Sequence, residues 1–228
     1  MIIAERKHFQ EIAEMLGDAE KVLVLGCGTC VTVCFAGGAK EAGILATQLR
    51  IHAKKENKKL EIVEATIERQ CEDEFFEGID EQVARADVVI SLACGVGIQS
   101  VIEVFPDVLV IPGVNTTSYG RVKEPGVFAE YCIGCGDCVL GLSGGICPIA
   151  RCSKSMLNGP CGGSEDGRCE VDPKTIPCAW HMIYERLKKL DRLDLIEKIG
   201  MPKDWSTSFH GGVRHTIRED LLDLKLED

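Results

Sequence analysis

Aromatic side chains are scarce in this 228-residue chain, which has two Trp, three Tyr and seven Phe. Its cores must therefore be built mainly from aliphatic residues. Basic residues are in deficit too: 26 Lys and Arg face 36 Asp and Glu, a formal charge of −10. That balance argues against nucleic-acid binding, whose affinity comes from basic surfaces that release counterions. The local run at Lys54, Lys55, Lys58 and Lys59 reads as a solvated helix end. Long hydrophobic runs are missing, so no segment is expected to insert into a membrane. The opening MIIAERKHFQEIAEML carries Glu5, Arg6, Lys7, Glu11 and Glu14, which leaves no apolar stretch for a secretory leader. These absences predict a soluble, cytoplasmic protein.

Cysteine is in excess, with thirteen residues. The count is odd, and in a reducing compartment clustered thiols read as metal or redox sites rather than disulfides. Other chemistry is hard to find. No Ser-His-Asp constellation, paired-carboxylate pattern or P-loop is visible. The five histidines, His8, His52, His181, His210 and His215, show no ligand spacing with one another. His210 and His215 are read as solvated tail residues.

Periodicity suggests an opening amphipathic helix over residues 3 to 16, stopped at Gly17. The run VLVLG from Lys21 has the character of a strand buried on both faces. A helix from about Ala39 to Lys55 follows, with Ile44, Leu45, Leu49 and His52 on one side. Strands are then expected at Leu60 to Ile67, Asp87 to Leu92 and Val108 to Ile111, with helices at Phe75 to Arg85 and Ile98 to Phe105. The fold class is α/β, a small parallel Rossmann-like sheet with flanking helices. Beyond it an irregular Cys-rich metal-cluster domain and a C-terminal helix are expected. The expected domains are 1–112 for the sheet with one cluster site, 113–178 for the Cys-rich part, and 179–228 for the helix and a docking tail. Residues 113 to 178 lack hydrophobic periodicity, so metal ligation is expected to replace the missing core. Trp205 and Phe209 stand as isolated aromatics in the tail.

The cysteines form two groups. Cys27 and Cys30 lie in the glycine turn after the first parallel strand, Cys71 after the second, and Cys94 in ACGVG after the third. Loops at the carboxyl edge of an open parallel sheet gather at one place, so these four thiols are candidates for one [4Fe-4S] site. The turn also resembles a dinucleotide fingerprint, but Val31 occupies its third glycine position. Cys34 is left outside as a small buried side chain. A Cys₄ zinc site is the competing metal reading.

The second group begins with Cys132, Cys135 and Cys138 in C-x-x-C-x-x-C spacing, followed by Cys147-Pro148, a ferredoxin-like opening with an eight-residue gap where three is usual. Cys152, Cys161, Cys169 and Cys178 add four more thiols. Twelve cysteines would serve two or three [4Fe-4S] clusters, with zinc possible at one site.

The combination of GCGTCVTVCFAGG, CIGCGDC, GPCGG, RCEVDP and PCAW resembles the MetV-type cysteine-rich small subunit of methylenetetrahydrofolate reductase, found in acetogens and also as a C-terminal extension of single-chain reductases. The resemblance runs from the first helix to about Trp180. It implies an iron–sulfur electron-transfer subunit that exchanges electrons with the flavin of a catalytic partner, the flavin being held only by that partner. A further electron carrier, a ferredoxin-type or NADH-linked subunit, is implied as well. The alternative is a zinc-stabilised structural or activating subunit of the same kind of complex.

Overall fold

The computed structural model describes residues 1–208 and residue 216. Phe209, His210 and His215, named above as tail residues, lie outside the described residues, as does most of the expected docking tail. The chain divides into two compact units, Met1–Ile133 and Gly134–Asp228.

The first unit opens with strand β1 (Ile2–Arg6) and helix α1 (Phe9–Leu16). It continues through β2 (Lys21–Cys27), the single-turn helix α2 (Cys30–Val33), the long helix α3 (Ala39–Lys55) and β3 (Glu61–Ile67). A 3₁₀ turn at Asp73–Phe76 precedes α4 (Asp80–Ala84), β4 (Val88–Ser91), α5 (Gly95–Val104) and β5 (Leu109–Pro112). The hairpin β6 (Val114–Glu124) and β7 (Val127–Cys132) closes the unit.

The expected four-stranded parallel sheet is present, in the order β3-β2-β4-β5. Its core follows from strand alternation. Val22, Val24, Val88 and Ile90 enter one apolar cluster with Ile12, Leu45 and Leu49 from α1 and α3. Their neighbours Leu23, Leu25 and Val89 enter another with Phe76, Val83 and Val101. A strand covered on both faces has no solvent side, which is why VLVL carries no polar residue. Each such side chain contributes about 1.5–3 kcal/mol through burial.

Local expectations are corrected in this unit. The opening segment is not helical from residue 3. Residues 2–6 pair antiparallel with β6, Ile3 opposite Ser118 and Arg6 opposite Val114, and the helix begins only at Phe9. β1, β6 and β7 thus form a second, antiparallel sheet, whose hairpin residues 114–132 give little sign of themselves in the sequence pattern. The helix expected over Phe75 to Arg85 is broken by Gly78, whose φ of +87° no helix tolerates. On α3, Ile44 is exposed, and Glu41, Ala42 and Ala46 supply the inward face with Leu45 and Leu49.

The second unit has less regular structure. It holds a 3₁₀ turn at Leu140–Leu142, then α6 (Pro148–Arg151), α7 (Ala179–Lys189) and α8 (Asp194–Glu197). The helix expected from Ala179 to about Ile199 is interrupted after Lys189, and Asp191 takes φ +54° between α7 and α8. Trp180, Ile183 and Leu187 form the buried stripe of α7, while Tyr184 and Leu190 remain exposed.

Candidate metal centre

The first cysteine group sits where parallel topology delivers it. Cys27 is the last residue of β2 and is buried. Its N–H donates to the Gly37 carbonyl (2.9 Å), and the next amide, Gly28 N–H, donates to the Ile67 carbonyl at the end of β3 (2.9 Å). The return of the chain at Gly37 is tight, since a Cβ there would stand 1.9 Å from the Leu92 carbonyl oxygen. Cys30 opens α2, Cys71 follows β3, and Cys94 is the N-cap of α5. All four therefore occupy the carboxyl edge of the sheet, the edge at which open α/β sheets bind ligands.

Cys71, Cys94 and Cys27 are electrostatic neighbours. Burial pushes the Cys71 thiol pKa up, and the charges of Cys94 and then Cys27 push it further. Like charges that disfavour one another are what a bound cationic centre relieves. The Cys27 sulfur lies 3.8 Å from both Thr29 Oγ1 and the Glu68 carbonyl oxygen. Cys94 sits at the positive, N-terminal end of a ten-residue helix. Thr116 Oγ1 accepts from the Gly95 amide next to it (2.9 Å).

Cys30 has a different neighbour in Cys34. The Cys34 thiol is raised chiefly by burial, with the Cys30 charge adding to this and the Ala4 amide and the N-terminal ammonium opposing it. Cys34 is buried 3.5 Å from the Ile2 carbonyl, in keeping with its reading as a packed side chain.

The residue that joins these strand ends is Gln70, which is fully buried. Its Nε2 donates to the carbonyls of Leu25 (3.0 Å) and Gly26 (3.1 Å), and its Oε1 accepts from Ser91 Oγ (2.6 Å). Ser91 Oγ in turn accepts from the Ala93 amide (3.3 Å). One amide side chain thus ties the end of β2, the end of β4 and the loop that carries Cys71. Nothing in the sequence pattern singled it out, because a lone Gln after a strand usually faces water.

The second cysteine group straddles the division between the units. Cys132 ends β7, paired in register with Tyr119, while Cys135 and Cys138 open the second unit. Within that unit Cys147 is the N-cap of α6, and its sulfur accepts from the Ala150 amide (3.4 Å). Cys178 is buried as the N-cap of the eleven-residue α7. Its amide donates to the Gly167 carbonyl (2.8 Å), and the Cys169 amide donates to Ile176 (2.9 Å), so the chain doubles back at Cys169 and Cys178. Ser153 Oγ, 3.4 Å from the Cys169 sulfur, lowers that thiol pKa most, followed by the Val171 backbone. Cys152 packs at the edge of the α7 cluster, and the exposed Cys161 lies 3.5 Å from a Glu170 carboxylate oxygen.

No disulfide joins any of these cysteines. Among the described residues, no three His, Cys, Asp or Glu side chains form a group that could hold a single metal ion as they stand. The donor chemistry nevertheless suits a thiolate-bound centre: sulfurs at helix N-termini, an amide aimed at Cys147, and a Cys169 thiol inclined to ionise.

Fold and site together define an α/β protein with a cysteine-rich lobe. Residues 111–206 match the family model described as methylene-tetrahydrofolate reductase C terminal. This stretch is similar to that family, and the similarity relates the chain to methylenetetrahydrofolate reductase. The match takes in the whole second cysteine group and extends past Trp180, whereas residues 1–110 and the first group lie outside it. No curated protein and no solved structure matches the chain. Among the described residues, no helix is long and apolar enough to cross a membrane.

Proposed function

We propose that this chain is the iron–sulfur electron-transfer subunit of a methylenetetrahydrofolate reductase complex, exchanging electrons with the flavin of a catalytic partner. The observation that carries this reading is the placement of Cys27, Cys71 and Cys94, drawn from three successive strand ends, along the ligand-binding edge of a sheet, where Cys71 feels the charges of the other two. Four thiolates from that edge, with Cys30 as the fourth, are the number a [4Fe-4S] centre requires. Cys132, Cys135, Cys138, Cys147, Cys152, Cys161, Cys169 and Cys178 are the candidates for one or two further centres. Bound iron–sulfur groups supply one-electron transfer at potentials set by burial, nearby charge and hydrogen bonds to sulfur. The chain's own part is to hold the thiolates, limit water and direct amides at them. The family match supports the link to the reductase, and the scarcity of other catalytic groups supports a relay role rather than a second active site.

Anaerobic purification followed by iron, sulfide and zinc analysis and EPR tests this reading. About 8 to 12 irons per chain are expected for two or three cubes, together with a dithionite-bleached absorption. A preparation that holds zinc alone would sink the reading in favour of a structural subunit.

A further inference from the structure

The second unit contains a lysine whose placement no thiol chemistry requires. Lys203 lies in the irregular segment after α8, and its side chain is only 1 % exposed. Lysine is strongly hydrated and is almost never fully buried without a partner. Its Nζ donates to the Asp137 carbonyl (2.6 Å), stands 3.4 Å from the Asp137 carboxylate oxygen Oδ2, and lies 5.5 Å from the centre of the Trp205 ring. Asp137 is the second spacer residue of the Cys135-x-x-Cys138 turn.

The same carbonyl is shared with a sulfur, because Cys135 Sγ lies 3.7 Å from the Asp137 oxygen. Ammonium and thiol therefore meet at one carbonyl oxygen, which keeps the charge and the sulfur close to each other. The contact is reinforced from the same segment. Thr207 Oγ1 donates to the Cys135 carbonyl (3.1 Å), and Gly136 lies so close beneath that a Cβ would stand 2.3 Å from the Thr207 carbonyl oxygen. Residues 203–207 thus form a strap across the C-x-x-C turn, with a cation as its inner tie. A strap needs only hydrogen bonds, and the Thr207 tie shows that a neutral residue suffices. Placing a charge there carries a desolvation cost that the half-exposed Asp137 carboxylate only partly offsets.

We propose that Lys203 is the counter-charge of the centre held by Cys135 and Cys138, and that it raises the reduction potential of that centre. This rests on the iron–sulfur reading above. One-electron reduction adds one negative charge to a thiolate-bound cluster, so a fixed cation beside it stabilises the reduced form more than the oxidised form. Because Lys203 is buried, its effect is little screened by salt, unlike that of a surface lysine.

Anaerobic EPR-monitored redox titration of the full chain tests the assignment on wild type, Lys203→Met and Lys203→Arg. Lys203→Met is expected to keep its iron and to shift one midpoint potential downward, while Lys203→Arg stays near wild type. An unchanged set of potentials in an iron-replete Lys203→Met protein overturns the counter-charge and leaves the iron–sulfur reading intact. Wild-type protein with zinc and no iron overturns both. Should Lys203→Met fail to hold iron, Asp137→Asn decides. Removing the opposing carboxylate should shift a midpoint upward, and no shift there rejects the assignment.

Discussion

The two units solve the same folding problem by different means. In Met1–Ile133, Leu23, Leu25, Val24, Val89 and Ile90 are completely buried between helices, and the strand backbones satisfy one another. In the described part of Gly134–Asp228, the only large side chains buried to that degree are Ile183 and Leu187, both on α7. Seventy-odd residues arranged around one helical stripe are short of apolar burial, and domains in that position generally need crosslinks or metal. The unit that is poor in core is also the one that carries seven cysteines, Cys135 to Cys178. The first unit has a core sufficient for itself and sets Cys27, Cys30, Cys71 and Cys94 along one edge of its parallel sheet. On the iron–sulfur reading proposed above, metal would be an attachment to the first unit and a structural component of the second.

Chelation should break this symmetry most strongly. Stripping metal from reduced protein is expected to open the second unit, since structural metal sites contribute on the order of 10 kcal/mol. Hydrogen exchange would then rise across residues 134–190 while β2 and β4 stay protected. Equal loss in both units would refute the contrast.

A core substitution probes the other side. Leu23→Ala should cost about 2–5 kcal/mol in the first unit, as cavities at fully buried leucines do. Its denaturant midpoint should fall by the same amount with and without metal. A metal-dependent cost would mean that the sheet too relies on its cysteines.

The smallest effect concerns the opposite end of the sheet. Asp87 Oδ2 accepts from the amides of Lys21 (2.8 Å) and Glu20 (3.0 Å), and these bonds, Lys21 first, hold its pKa below the ordinary carboxylate value. A depressed folded pKa contributes stability that is present above the unfolded value, about 3.9, and lost as pH falls through the folded one. Asp87→Ala should lower Tm slightly near neutrality, and the two proteins should converge in acid. A difference that persists at low pH would show that the carboxylate charge is not the cause.

Much of the first unit was legible in the sequence. Short apolar runs marked β2 and β4, and placing Cys27, Cys71 and Cys94 after strand ends needed only the parallel topology. β1 and the β6–β7 hairpin were not legible. MIIAERKHFQEIAEML has apolar residues at helical spacing, and only the long-range pairing of Ile2–Arg6 with β6 pulls its first residues out of the helix. Gln70 and Lys203 were invisible for a related reason. Each is a polar residue whose default is solvent, buried here because partners from distant segments satisfy its hydrogen bonds.

What the sequence by itself determined is therefore the sheet, its alternating aliphatic core and the supply of thiols, since periodicity and spacing are local properties of the chain. Only the tertiary structure decided that one glutamine ties the strand ends together and that a buried lysine packs against the C-x-x-C turn. Those contacts join residues up to 66 positions apart, and which distant partner satisfies a buried polar group is settled by packing, which no local pattern encodes.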